Sequence, residues 1–197
     1  MTNTVYFRSF EEEDADLIYK WMNNDKLLEL TVGLNRRISK EESENWIKAR
    51  MNHNPYQVYW AICSHETNKM IGYASLVNIH YINSCAETGA IMIGDSNYND
   101  GFAWIESVLW MFEYAFERLN LNRLYGVSLL GHKMSNKMGP LMYMKTEGNL
   151  RQAVFKNGIF YDLHYSGILK DEYFQHKLAG DYEIINIIRR LKKIKNE

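Results

Sequence analysis

Proline and cysteine are scarce in this chain of 197 residues, with two of each, and long apolar runs are missing altogether. A membrane-spanning helix needs about 20 consecutive apolar residues. The longest runs here fall far short, and the first residues show no charged-then-apolar leader, so a cytoplasmic protein without a membrane partner is expected. Cys63 and Cys85 stand without a CxxC or a neighbouring His cluster, which points to reduced thiols in or beside strands and to no metal site. The net charge of −1 carries no basic footprint, so nucleic acid is not an expected partner. Repeats and low-complexity segments are also missing. What remains is a chain with 46% hydrophobic residues, enough to bury one good core.

The patterning supplies the elements. Val5 to Ser9 reads as a short strand, and Glu13 to Asn23 as a helix with Leu17, Ile18, Trp21 and Met22 on its apolar face. Ser39 and Glu42 have the Ser-x-x-Glu spacing of a capping box opening a second helix. Pro55 precedes strand Gln57 to Ser64, a turn over His65 to Lys69 follows, and Met70 to Ile79 is the next strand. Arg123 to Leu129 reads as a buried strand and Lys133 to Met144 as a shorter helix interrupted by Pro140. Leu150 to Phe155 and Ile159 to Leu169 form a hairpin through Asn157-Gly158, the strongest turn signal in the chain.

The most informative stretch is Ala86 to Asn120, AETGAIMIGDSNYNDGFAWIESVLWMFEYAFERLN. An apolar strand enters a polar turn ending in Gly101, and a helix follows with Ile105, Leu109, Phe112, Phe116 and Leu119 at the spacing of one buried face. The first backbone N–H groups of a helix have no intrahelical acceptor and sit at the positive end of its dipole. Such a turn is a ready site for phosphate, and a nucleotide-like cofactor is the natural occupant.

Ala86-Glu87-Thr88-Gly89, Tyr98-Asn99-Asp100-Gly101-Phe102-Ala103 and the run Tyr114 to Leu124 together resemble the central motif of the GCN5-related N-acetyltransferases (GNAT), in the branch of the ribosomal-protein alanine acetyltransferases. Glu147 to Gly158 with Tyr161-Asp162 is similar to that branch's final hairpin, and Phe7-Arg8 with the acidic run Glu11 to Asp16 to its opening. The resemblance implies an α+β, three-layer GNAT fold: a central mixed, mostly antiparallel sheet of about seven strands flanked by about four helices, plus a C-terminal helix. It divides the chain into an acetyltransferase domain over 1–170 and a helical extension over 171–197. It also implies acetyl-CoA as co-substrate and no metal. Ile91, Met92 and Ile93 would then hold the pantetheine arm and polarise the acetyl carbonyl, and the loop Tyr98, Asn99, Asp100, Gly101, Phe102, Ala103 and Trp104 would take the pyrophosphate.

Acetyl transfer to an amine needs a proton acceptor, since an amine with a pKa of roughly 8 to 10 arrives protonated. Glu87 at the head of the cofactor strand is the first candidate, with a salt-bridged or solvated strand-end glutamate as the alternative. His80 is the second, against an ordinary surface histidine. Relatives carry an asparagine and then a tyrosine, the acid for the thiolate, after the next strand. Aligned without gaps these positions fall on His132 and Gly139, and with a shift on Asn136 and Tyr143. Tyr143 is therefore the candidate acid, and His132 and Ser135 are further cofactor contacts. Relatives have glycine and a basic residue where Asn99 and Asp100 stand; Asp100 either repels the pyrophosphate or caps the helix.

The expected acceptor is a small amine such as a nucleotide-linked amino sugar or an antibiotic, because Lys26 to Arg37 has no acidic cluster suited to a basic ribosomal protein. A protein N-terminus and a non-catalytic acyl-CoA-binding domain are the alternatives. From Tyr182, Ile184, Ile185, Ile187, Ile188, Leu191 and Ile194 interleave with basic residues, the pattern of an amphipathic helix that packs on its own domain or in a homodimer.

Overall fold

A computed structural model describes residues 4–29, 31–33, 36–131, 137 and 139–196, the last three as backbone only. Among the described residues seven strands form one sheet in the order β1-β2-β3-β4-β5-β7-β6. They are β1 Val5–Arg8, β2 Val58–Ser64, β3 Met70–His80, β4 Cys85–Ile93, β5 Arg123–Leu129, β6 Lys145–Lys156 and β7 Ile159–Leu169. The β4 and β5 strands run parallel, while β1/β2, β2/β3, β5/β7 and β6/β7 are antiparallel. The helices are α1 Ala15–Met22, α2 Asp25–Leu28, α3 Lys40–Met51, α4 Phe102–Glu113, α5 Lys170–Leu178 and α6 Ile184–Asn196. The chain forms two compact units, one running up to Ile79 and including Gly89–Met111, the other comprising His80–Thr88 and Phe112 onward.

In the first unit, Ile18 and Trp21 of α1 are buried with Phe10, Ile47, Tyr73 and Met92. The predicted capping box opens α3: Glu42 N–H donates to Ser39 Oγ (3.1 Å) and Ser39 N–H to Glu42 Oε2 (2.9 Å). Arg8 holds the buried Asp14 carboxylate with two bonds of 2.7 and 2.8 Å. Glu106 of α4 accepts the N–H groups of Thr4 and Val5, each at 3.0 Å, which satisfies donors at the start of an edge strand.

The second unit is built on aromatic rings. Phe116 stacks on Tyr173 at 4.9 Å, and Phe112 meets Tyr173 and Tyr182 edge-on, each at 6.0 Å. The α6 helix adds the fully buried Ile187, so the predicted amphipathic tail packs on its own chain. The face expected for α4 is corrected in detail: Leu109 and Leu119 are only half-buried, whereas Val108, Met111 and Ala115 are buried. The cause at the C-terminal end is a π-helical turn over Tyr114–Arg118, where Leu119 N–H reaches back to the Tyr114 carbonyl (2.9 Å) and rotates the following residues out of the stripe.

Of the helix expected over Lys133 to Met144, residues 132–136 and 138 lie outside the described residues; Pro140 is accommodated in a final helical turn. The β6 strand begins five positions before the expected Leu150, at Lys145. Its polar start is held by side chains, Lys145 to Glu172 and Glu147 to Arg123. The Asn157-Gly158 turn has φ of 51° and 81°, the two positive values a tight hairpin requires.

Candidate active site

The strand-to-helix turn is held before and after its tip. A Cβ at Gly94 would lie 2.2 Å from the Trp21 indole, so only glycine lets α1 cross there. Asp95 accepts the Asn97 N–H (3.0 Å), and the Tyr98 hydroxyl donates to Ser64 Oγ (3.0 Å). The tip, Gly101, has φ of +94°, the region that favours glycine, and its carbonyl accepts the Ile105 N–H (3.0 Å) to open α4. Asp100 turns its carboxylate onto the Phe102 N–H (2.9 Å). Of the two readings of Asp100 the cap is therefore the one observed, and it consumes one helix-start donor. Asn99 N–H is directed to the Ser96 carbonyl (3.4 Å). By helix geometry Ala103 and Trp104 have no carbonyl one turn before them, so their N–H groups, together with that of Gly101, are the donors placed for an anion.

A second constellation lies on the sheet of the other unit. The parallel ladder runs from Cys85↔Arg123 to Thr88↔Gly126, and β4 continues past it to Ile93. Residues paired across a ladder share a face. Glu87 pairs with Tyr125, Tyr125 with Gly167, and Val127 with Tyr165, so a carboxylate and two phenols stand on one face. The Tyr125 and Tyr165 rings are nearly parallel, 10° apart in plane with centroids at 6.4 Å, and the Arg123 guanidinium lies 5.7 Å from the Tyr125 ring. Burial first, then the Glu87 carboxylate, push the Tyr125 phenol above its ordinary pKa. Thr88 Oγ1 donates to the Tyr125 carbonyl (3.2 Å) and fixes the strand at that rung. Arg123 and Glu147 form a two-bonded ion pair that crosses β7 over Gly167, where a Cβ would sit 2.6 Å from Glu147 Oε1. The pair holds the Glu147 carboxyl below its usual range.

With this geometry in view, residues 4–138 match the model of the acetyltransferase (GNAT) domain. The chain belongs to the GNAT family. It is an N-acetyltransferase whose acetyl donor is acetyl-CoA. The uncharacterized N-acetyltransferase YoaA of Bacillus subtilis (strain 168) is 27% identical over 171 residues, 86% of this chain and 95% of that protein. The uncharacterized N-acetyltransferase p20 of Bacillus licheniformis is 26% identical over 179 residues, 87% of this chain and 96% of that protein. Among solved structures, the spermidine N-acetyltransferase of Vibrio cholerae in complex with CoA and spermine has a TM-score of 0.79 at 22% identity, covering 88% of this chain and 99% of that one. A GCN5-related N-acetyltransferase of Brucella melitensis has a TM-score of 0.76 at 17% identity, covering 93% and 82%. The GNAT architecture expected from the sequence is the one observed.

The remaining site candidates of this GNAT chain divide sharply. Ile91 and Ile93 are half-buried on β4, and Met92 is buried in the core cluster that also holds Trp21 and Ile18. Phe102 and Trp104 are half-buried at the start of α4, and Ala103 is buried. His80 is exposed and closes a turn, accepting the Asn83 N–H at Nδ1 (3.1 Å). Tyr143 is stacked on His176 at 3.6 Å, with the Arg190 guanidinium 4.5 Å from its ring and a hydrogen bond to Asp181. Those contacts commit its phenol to clasping the C-terminal helices. His176 and Tyr143 in turn hold the Asp181 carboxyl below its usual range. His132 and Ser135 lie outside the described residues. Tyr125, Tyr165 and the Arg123–Glu147 pair were not singled out from sequence, because no local pattern says which rung of β4 faces which rung of β5.

Proposed function

We propose that this N-acetyltransferase acetylates the primary amine of a small soluble molecule, with Glu87 accepting the amine's proton. The observation that carries this reading is the place of Glu87: half-buried at the head of β4, paired with Tyr125 and on the same sheet face as Tyr165, on the strand that leads to Ile91–Ile93. A carboxylate there is sufficient as a base through one water. Backbone groups of Ile91, Met92 and Ile93 would hold the pantetheine arm and polarise the acetyl carbonyl, and the N–H groups of Gly101, Ala103 and Trp104 would take the pyrophosphate.

Two features support a small acceptor. Arg36 is paired with Glu42 (2.7 Å) and Arg37 with Asp25 (2.9 Å), so the segment before α3 offers no surplus of carboxylates to a basic protein tail. The fold-level neighbour crystallised with CoA and spermine is itself a polyamine acetyltransferase. A protein N-terminus, as acetylated by the ribosomal-protein branch, is the second reading.

Release of free coenzyme A thiol, measured across polyamines, nucleotide-linked amino sugars, aminoglycosides and N-terminal peptides, tests the choice. At least one small amine should exceed every peptide by tenfold or more in kcat/KM; faster turnover of a peptide would reverse the assignment.

A further inference from the structure

Collapse of the tetrahedral adduct releases a thiolate, and a positioned acid at the sulfur speeds that step. The two positions the sequence offers do not supply one: Gly139 has no side chain, and the Tyr143 phenol is taken up by His176, Arg190 and Asp181. One rung of the β4–β5 ladder places a different tyrosine beside the proposed base. We propose that Tyr125 is the catalytic acid that protonates the departing coenzyme A thiolate, acting as a pair with its ladder partner Glu87. The proposal rests on Glu87 being the proton acceptor.

Several observations fit the role. Tyr125 is half-buried on the same face as Glu87. Its strand is fixed at that rung by Thr88, and its ring is flanked by the parallel Tyr165 ring and the Arg123 guanidinium. Gly167, which has no side chain, lies opposite it on β7. On the same face Arg123 is paired with Glu147.

The protons balance as follows. An ammonium acceptor passes one proton to Glu87. The free amine attacks the thioester carbonyl, and a second proton leaves nitrogen for solvent as the C–N bond forms. The C–S bond breaks with its electron pair going to sulfur, and Tyr125 passes its phenolic proton to that sulfur. Glu87 then returns its proton across the rung to the phenolate, which restores both groups. The electrostatics time the exchange. While Glu87 is ionised, its charge adds to burial in keeping the phenol protonated. Once Glu87 carries the amine's proton that charge is gone, and the phenol becomes a stronger acid as the thiolate appears.

The test is the single-turnover rate of acetyl transfer by the full chain, using the best amine from the panel, with Tyr125→Phe and Glu87→Gln compared to the native enzyme. Tyr125→Phe keeps the ring and its packing, so melting temperature and calorimetric coenzyme A affinity should be unchanged. The transfer rate should fall by about 10²- to 10⁴-fold, the usual contribution of an acid–base group, with the amine's KM unaltered. Installing 3-fluorotyrosine at position 125 should restore the rate and move the alkaline limb of the kcat profile to lower pH. A Tyr125→Phe enzyme within twofold of native, or one impaired only through KM, overturns the assignment of Tyr125. If Tyr125→Phe is slow and Glu87→Gln is normal, the base is wrong and the pair fails with it. If Glu87→Gln alone is slow, the proposed function stands and Tyr125 is excluded.

Discussion

In the turn from Asp95 to Ile105 the groups placed to meet an anion belong to the backbone, and the side chains, Asp95, Asp100 and Tyr98, serve to hold that backbone in shape. On the Glu87–Tyr125 face the relation is inverted. There the backbone is spent in ladders, and the polar groups on offer are side chains contributed by β4, β5, β6 and β7. A backbone site is sensitive to φ and indifferent to most side-chain changes. A side-chain site is sensitive to single atoms at Glu87 or Tyr125 and tolerates changes that keep the register.

The sharpest way to sharpen that contrast is Glu87→Gln, an exchange of one oxygen for an NH₂ group. It should leave the fold and coenzyme A affinity intact while lowering the transfer rate by about 10²-fold or more, most strongly at pH values where the acceptor amine is protonated. Stopped-flow profiles across roughly pH 6 to 9 check it. A profile superimposable on the native one would remove Glu87 from the mechanism.

The converse change is Gly101→Val, which adds a β-branched side chain at φ of +94°. Space is not the obstacle, because a Cβ at Gly101 meets nothing within 4 Å. The backbone conformation is, at a cost of about 1–3 kcal/mol, so coenzyme A affinity by calorimetry should drop by roughly 10- to 100-fold. The rate on bound substrate should change little. A rate defect with normal affinity would mean that the turn positions the thioester rather than the phosphates.

The smallest effect separates the two duties of Asp100. Asp100→Asn keeps an oxygen for the Phe102 N–H and removes the charge, so coenzyme A should bind a few-fold more tightly, in keeping with about 0.3–1 kcal/mol for a charge at a helix start. Asp100→Lys gains attraction but loses the cap, worth about 1 kcal/mol, and should fall short of the asparagine variant in melting temperature. Equal affinity of all three proteins at low salt would show that the carboxylate lies clear of the bound phosphates.

These two regions also differ in how legible they were. The turn could be read from Tyr98 to Trp104 alone, since a glycine before an amphipathic run signals its own geometry, and the Ser39–Glu42 box and the Asn157-Gly158 turn were equally local. Whether Asp100 would cap or repel depended on one side-chain torsion, which spacing does not encode. The Glu87–Tyr125 pairing joins residues that are neighbours only through a parallel ladder, and a slip of one residue would have placed Leu124 or Gly126 there instead. The surroundings of Tyr143 were illegible for the same reason: its partners His176, Asp181 and Arg190 come from a stretch about 30 to 50 residues further on, which local patterning does not bring to it. The π-turn at Tyr114–Arg118 is similar, because a helical stripe gives no notice of an inserted residue.

The ring cluster under the C-terminal helices has a consequence for the order in which the protein can be made. Phe112 and Phe116 find their partners in Tyr173 and Tyr182, and Arg190 donates to the carbonyls of Leu141 and Asp181. A chain emerging from the ribosome exposes the first two rings long before the residues that cover them exist. This half of the core therefore has to wait, with its aromatic surface open, for the last two helices to be synthesised.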